Sequence, residues 1–174
     1  MTILEAAEKF KPYIIAIVKS GSSVLPWINN PHDTDYIIYT DDEHAEWVSK
    51  FYKLKPKGDC WFIINVSNKK IRLFQYLYHY SQLIYGAPIE PRPDIFEFEK
   101  EYKLKLIELF GKAHRKQKYW YHVLTGIYLL ENKDYYLTEE QKYNVQLCRD
   151  RQTTLEIYNY IQEQLLKYKK ELEE

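Results

Sequence analysis

The first half of the chain alternates between apolar runs and polar turns. Apolar residues recur at steps of three and four over residues 3–18, which is typical of an amphipathic helix that Pro12 would interrupt. The run Ile14–Val18 is equally typical of a buried strand, and its periodicity does not decide between the two. Tyr36–Tyr39 predicts a second buried strand, and Cys60–Val66 predicts a third.

Polar residues mark the ends of the elements between these strands. Thr40 is followed by acidic residues, which predicts the N-terminus of a helix over 42–54. Pro56–Asp59 predicts a turn. Residues 71–74 either pair back as a strand, so that a β-hairpin completes a small mixed sheet, or open a helix over 71–85.

The second half is predicted to be helical. Ala87–Asp94 contains three prolines, which favour an extended path and separate this half from the first. Apolar stripes at helical spacing then predict four helices, over residues 94–112, 115–132, 138–150 and 152–172. Thr138 with Gln141 resembles a capping box at the start of the third of them.

Composition excludes some classes of function. The chain has 25 basic and 25 acidic residues, so no global positive charge indicates a nucleic-acid partner. Cys60 and Cys148 lie far apart and outside any metal-ligand spacing, which favours reduced, buried thiols. No apolar run reaches membrane-spanning length and the first residues do not resemble a signal peptide. We therefore expect a soluble cytoplasmic protein without a membrane partner.

Tyrosine is unusually frequent, with 18 residues. Tyrosine rings can stack on nucleic-acid bases, at roughly 1–3 kcal/mol per base. The same composition follows from an AT-rich genome, whose codons favour Tyr, Lys, Ile and Asn, and this second interpretation is preferred.

Candidate chemistry is concentrated between the first two strands. Gly21-Ser22 follows an apolar run, and glycine allows the sharp turn at which backbone N–H groups can hold phosphate. Asp33 and Asp35 are separated by one residue at the start of the next strand, so alternation places both carboxylates on one face. Two adjacent carboxylates repel each other unless a cation lies between them, which indicates a divalent-metal site.

Together these motifs resemble a known signature. Gly21-Ser22, ten intervening residues and an Asp-x-Asp that runs into an apolar strand resemble the DNA polymerase β-like nucleotidyltransferase superfamily. Within it, the chain is most similar to the small predicted nucleotidyltransferases of bacteria and bacteriophages. The resemblance covers residues 10–85, and it favours a strand over 13–19. It implies an α+β fold, with a small mixed β-sheet nucleotidyltransferase core over 1–87, a Pro-rich linker over 88–93 and a C-terminal helical bundle over 94–174.

The resemblance also implies a reaction. A nucleoside monophosphate would pass from a nucleoside triphosphate such as ATP to an acceptor hydroxyl, with two Mg²⁺ or Mn²⁺ ions. Gly21, Ser22 and Ser23 would contact the triphosphate, and Asp33 and Asp35 would bind the metal and carry the catalysis. Arg72, or a basic cluster over 112–118, would neutralise developing charge. The acceptor is left open between RNA and other hydroxyl compounds, as is the oligomeric state. For a phage-encoded chain the location would be the host cytoplasm.

A third carboxylate on a later strand completes the site in this superfamily. The strand predicted over 60–66 contains no Asp or Glu, so Asp59, directly before it, is the best candidate for the third metal ligand. Asn65 could supply a neutral oxygen in its place. This departure from the family pattern bears on activity more than on fold.

Three alternatives accompany this interpretation. The same fold could bind a nucleotide or a protein partner without catalysis, or the chain could be a helical interaction protein. In that last case the Asp pair would only cap its own backbone in a surface turn. His32 is a functional candidate by its position beside Asp33, and the cluster over 112–118 is equally typical of solvated charges at a helix junction.

Overall fold

In the computed structural model of the chain, the described residues are 1–29, 31, 33–42, 45–89, 93–113 and 119–174. They form two compact units. The first consists of Met1–Lys69 and Tyr80–Arg92, and the second of Lys70–His79 and Pro93–Glu174.

The first unit is built on a mixed sheet of four strands. They are β1 (Ala16–Ser20), β2 (Thr34–Thr40), β3 (Asp59–Asn65) and β4 (Gln82–Gly86). The order across the sheet is β3-β2-β1-β4. β1 is antiparallel to both β2 and β4, whereas β2 and β3 are parallel. The parallel pair follows from the connection between its strands, because helix α2 (Ala45–Tyr52) crosses over from one to the other.

One face of this sheet carries the hydrophobic core of the unit. Ile17, Ile38 and Trp61 lie on that face, in a buried cluster that includes Trp47 and Phe51 of α2. Phe51 and Trp61 have ring centroids 4.8 Å apart. Helix α1 (Ile3–Lys9) adds the small buried side chains of its apolar stripe, and Thr2 and Glu5 close its N-terminus as a capping box. Asp35 and Cys60 lie on the opposite face, together with the buried side chains of Ile37 and Ile64.

The second unit is helical. Its helices are α3 (Glu99–Ala113), α4 (Trp120–Asn132), α5 (Glu139–Arg149) and α6 (Leu155–Glu173), together with a 3₁₀ helix over Leu73–His79. α4 is buried on nearly all sides, as its continuous apolar sequence predicts. Gly126 of α4 lies so close to α3 that an added Cβ would meet the Tyr102 hydroxyl at 2.6 Å. Absence of a side chain there permits the close approach of two helices.

The expected fold class is confirmed, with a small mixed sheet followed by C-terminal helices. The strand predicted over 13–19 is observed as β1, and the strand over 60–66 as β3, one residue earlier. The predicted capping box at Thr138 is present at the start of α5. Asp94 accepts a hydrogen bond from the Phe96 backbone N–H in a turn, and α3 begins five residues later than predicted.

Both predictions for residues 71–85 were wrong. The segment is neither a hairpin partner of β3 nor one long helix, but a short 3₁₀ helix followed by β4, which pairs with the far edge of β1. The aromatic-rich sequence over 73–85 has no clear period, so pairing with the open edge of β1 decided its structure. None of the described helices combines the length and the apolar character that crossing a bilayer requires.

Candidate functional site

The site begins where β1 ends. Ser20 is the last residue of β1 and lies directly across from Asp35 of β2. Gly21 follows with a positive φ of 74° and opens a short 3₁₀ helix, Gly21–Val24. A Cβ on Gly21 would meet the Asp35 carboxylate, with Cγ at 2.6 Å and the Asp35 Cβ at 2.7 Å. Only glycine fits both the conformation and the space, so the Gly-Ser turn lies against this carboxylate.

Serine hydroxyls hold the turn in place. The Ser81 hydroxyl donates to the hydroxyl of Ser20, which is 2% exposed, at 2.9 Å. The Ser23 hydroxyl donates to the Ser20 backbone carbonyl at 3.1 Å. Ser23 therefore uses its proton inside the turn, whereas Ser22, next to Gly21, is half-buried. These bonds fix the backbone that was predicted to face phosphate.

Asp35 lies on the face of β2 opposite the hydrophobic core, whereas Asp33 lies one residue before β2, in a bend. The strand was expected to include Asp33, and it begins instead at Thr34. Asp33 is exposed and Asp35 is half-buried. Cys60 of β3 is directly across from Asp35, and its thiol lies 4.0 Å from Oδ2 of Asp33. Burial raises the pKa of the Cys60 thiol, and the negative charges of Asp35 and Asp33 raise this pKa further. Ser20, Asp35 and Cys60 thus form one row across three neighbouring strands.

Asp59 points away from this row. It is in register with Thr34, and its carboxylate accepts a hydrogen bond of 3.1 Å from the indole N–H of Trp61, on the core-facing side. Burial raises the pKa of Tyr36, on that same side, and the Asp59 charge raises it further. The structure does not bring Asp59 to Asp33 and Asp35. Asn65 lies at the other end of β3 and accepts hydrogen bonds from the Ser67 backbone N–H and hydroxyl.

Two other residues predicted for the site, Arg72 and Lys112, belong to the second unit. The Nε of Arg72 is buried without a hydrogen-bond partner among the described residues. Lys112 pairs with Glu108 at 2.8 Å on the surface of α3. His32 and residues 114–118 of the predicted basic cluster lie outside the described residues.

The donor set decides which metal would fit. Two carboxylates one residue apart suit a hard divalent cation that completes its shell with phosphate oxygens and water. Among the described residues, no group of three or more His, Cys, Asp or Glu could hold a metal ion. Asp33 and Asp35 are the residues that would hold such a cation. The described residues bring no third carboxylate to them, although the resemblance implies one.

Sequence reasoning missed two members of this site. Ser20 lies between the strand predicted over 13–19 and the Gly-Ser motif, and no role was predicted for it. Cys60 was assigned to an apolar pattern, yet it is partly exposed beside the two carboxylates, whereas Cys148 is buried. Alternation of side chains along β3 identifies Cys60, because residues 60, 62 and 64 lie on one face and Cys60 is paired with Asp35 on that face.

Comparison with known proteins adds information on the fold. The structure is similar to that of spectinomycin adenyltransferase AAD(9) from Enterococcus faecialis, determined with ATP and spectinomycin. The TM-score is 0.59 at 14% sequence identity, over 95% of this chain and 88% of that one. At this identity the likeness shows a shared fold. No family model matches the chain, and no curated protein matches it.

Proposed function

We propose that the chain is a metal-dependent nucleotidyltransferase, which transfers a nucleoside monophosphate from a nucleoside triphosphate to an acceptor hydroxyl. The observation that carries the proposal is the contact of Gly21 with the Asp35 carboxylate, together with the Cys60 thiol, which lies across from Asp35 and 4.0 Å from Oδ2 of Asp33. A phosphate-holding turn and a pair of metal-binding carboxylates are thereby adjacent. The fold shared with an adenyltransferase supports the proposal.

In this proposal, each part of the face has one task. The backbone at Gly21 and Ser22 and the Ser22 hydroxyl hold the triphosphate. Asp33 and Asp35 hold a Mg²⁺ or Mn²⁺ ion, which when bound neutralises phosphate charge and polarises the phosphoryl oxygens. Asp35 is fixed by the turn, whereas exposed Asp33 can adjust to the ligand.

The reaction forms one bond and breaks one. The acceptor oxygen bonds to the α-phosphorus, the bond from that phosphorus to the bridging oxygen of the β-phosphate breaks, and pyrophosphate leaves. The acceptor proton goes to solvent. ATP is the first donor to test, because the structurally similar protein was determined with ATP. A hydroxyl-bearing small molecule is the first acceptor class to test, and RNA is the second.

A second candidate function has a specific observation in its favour. β3, which is described throughout, brings no third carboxylate to the site face, since Asp59 lies on its other side. A protein with this face could bind a nucleotide without transferring it. Release of pyrophosphate in the presence of acceptors distinguishes transfer from binding alone.

The test is calorimetric titration of each nucleoside triphosphate with and without Mg²⁺. We expect Mg²⁺-dependent binding that falls on the order of 10–100-fold in Asp33→Asn and in Asp35→Asn. One lost interaction with a charged group corresponds to roughly 1.5–3 kcal/mol. Asp59→Asn is the matched control, because it removes the same charge from the opposite face. Its nucleotide affinity should equal that of the wild type.

The proposal fails if Asp33→Asn and Asp35→Asn bind nucleotide as the wild type does. It also fails if no nucleoside triphosphate binds. Equal losses in all three variants would indicate a general charge effect in place of a site. Binding with no pyrophosphate release from any acceptor class would support the second candidate.

A further inference from the structure

The third strand of the site face contributes no oxygen ligand. Cys60 lies across from Asp35, with its sulfur 4.0 Å from Oδ2 of Asp33. The next residues of β3 on that face are Phe62, which is 52% exposed, and Ile64, which is buried. A thiol therefore occupies the position of β3 nearest the pair, and the next two positions on that face carry hydrocarbon side chains.

Asp59 cannot take this place without rebuilding the strand. Its carboxylate accepts the indole N–H of Trp61, and Trp61 is 4% exposed in the hydrophobic core. Moving Asp59 to the other face would need a one-residue shift of β3 against β2. That shift would also move Trp61 out of the core, so the observed register is strongly favoured.

Ligand count and charge then limit the metal content. Two aspartates offset the charge of one divalent cation, and triphosphate oxygens and water complete its six or more positions. Two ions held about 3.5–4 Å apart repel each other and need further carboxylates. Thiol sulfur is a soft ligand, whereas Mg²⁺ and Mn²⁺ favour oxygen.

We propose that this face holds a single divalent cation for each bound nucleoside triphosphate, and that Cys60 occupies the place of the ligand that a second ion would need. This proposal rests on the proposed nucleotide-binding function. It differs from the two ions that the sequence resemblance implies. Cys60 is accordingly the residue whose replacement by a carboxylate changes the metal stoichiometry.

The test counts Mn²⁺ ions on the full chain. A non-hydrolysable nucleoside triphosphate analogue is kept at half the protein concentration so that all of it is bound, and free Mn²⁺ is measured by electron paramagnetic resonance. We expect one Mn²⁺ per bound nucleotide in the wild type and in Cys60→Ser. In Cys60→Asp we expect two, with the second ion bound at least about 10-fold more tightly than in the wild type.

A matched control separates position from charge. Asn65→Asp adds the same charge to the same strand but on the opposite face, and it keeps the oxygen that accepts from Ser67. This variant should still bind one Mn²⁺. Cys60→Asp also places three carboxylates together, so its melting temperature should rise more on adding Mn²⁺ and analogue than that of the wild type.

The outcomes separate this proposal from the proposed function. Two Mn²⁺ ions per nucleotide in the wild type would overturn the single-cation proposal while leaving nucleotide binding intact, even if Cys60→Asp does not fold. A second ion in Cys60→Ser or in Asn65→Asp would overturn the role given to Cys60, as would a folded Cys60→Asp that binds only one. Absence of any bound analogue would overturn the proposed function and this proposal together.

Discussion

Ionisable side chains are brought together in two regions of this chain, and the two regions treat them in opposite ways. At the end of the sheet, Asp35 lies across from Cys60, whose sulfur is 4.0 Å from Oδ2 of exposed Asp33. Gly21 lies against Asp35 and leaves no space for a side chain. Like charges one residue apart in the sequence favour a bound cation.

In the helical unit, His122 is buried and packs against aromatic side chains. It is 7% exposed, and its Nδ1 lies 2.5 Å from the Tyr76 hydroxyl. The ring of Phe74 packs edge-on against it, with centroids 4.6 Å apart. Burial, and to a smaller extent the positive charge of Arg149, lower the pKa of His122 to about 3. The imidazole is therefore neutral at physiological pH.

This difference distinguishes polar groups that stabilise the fold from polar groups that can bind a ligand. A buried polar residue whose partner lies within hydrogen-bond distance contributes to stability and to a unique arrangement of the core. Like charges such as those of exposed Asp33 and half-buried Asp35 contribute little to stability and leave room for a ligand. The comparison supports a structural role for His122 and agrees with the proposed metal-binding role of Asp33 and Asp35.

The largest expected effect is that of Gly21→Ala. The added methyl group would meet the Asp35 carboxylate and force it to move, while φ stays in a region that costs a non-glycine residue about 1–2 kcal/mol. Displacing a reacting group by about 1 Å lowers rates about 100-fold, and we expect a loss of Mg²⁺-nucleotide affinity of similar size. Calorimetric titration measures it.

Gly58→Ala is the matched control for this substitution. Gly58 also has a positive φ, of 94°, but nothing lies within 4 Å of its added Cβ. This variant should show only the backbone cost, about 1–2 kcal/mol in the free energy of unfolding, with nucleotide affinity unchanged. Equal losses of affinity in both variants would remove the special role of the contact with Asp35.

The next effect concerns the pH dependence of stability through His122. Its folded pKa of about 3 lies below the ordinary value of about 6.5, so the unfolded chain binds more protons between these values. The free energy of unfolding must therefore fall as the pH falls below 6.5. Between pH 7 and pH 4.5 this single group accounts for about 2.5 kcal/mol.

Urea unfolding at the two pH values tests this, with His122→Asn for comparison. The variant should be less stable at pH 7, because it loses packing with Phe74 and Tyr76. Between pH 7 and pH 4.5 it should lose about 2.5 kcal/mol less than the wild type. Parallel pH profiles would show that His122 is not held neutral in the folded chain.

The smallest effect is that of Gly126→Ala, where α4 approaches α3. The added methyl group would meet the Tyr102 hydroxyl at 2.6 Å and Cδ2 of Leu106 at 2.9 Å. Such overpacking costs about 1–3 kcal/mol, which thermal or urea unfolding would show. Gly111→Ala, at an exposed position of α3 where nothing lies within 4 Å of the added Cβ, should instead stabilise by up to about 1 kcal/mol. Stabilisation by both substitutions would contradict the close helix contact.

Sequence alone determined the local features that depend on neighbouring residues. Apolar patterns predicted β2, β3 and the helices of the second unit, because burial selects one face of each element. The family resemblance, and not periodicity, favoured the strand observed as β1. The capping box of Thr138 and Gln141 predicted the start of α5, because it depends only on residues three positions apart. The Gly-Ser turn and the Asp-x-Asp strand could be identified together because their spacing carries a recognisable pattern.

Tertiary structure decided what depends on pairing between distant segments. Residues 82–86 form a strand because they pair with the edge of β1. The local pattern of apolar residues does not contain this information. The parallel register of β2 and β3 sends Asp59 toward the core and brings Cys60 beside Asp35. In a strand with a period of two, a shift of one residue exchanges the two faces. Which side chain of β3 joins the carboxylates was therefore fixed by register, and register is set by packing across the whole sheet.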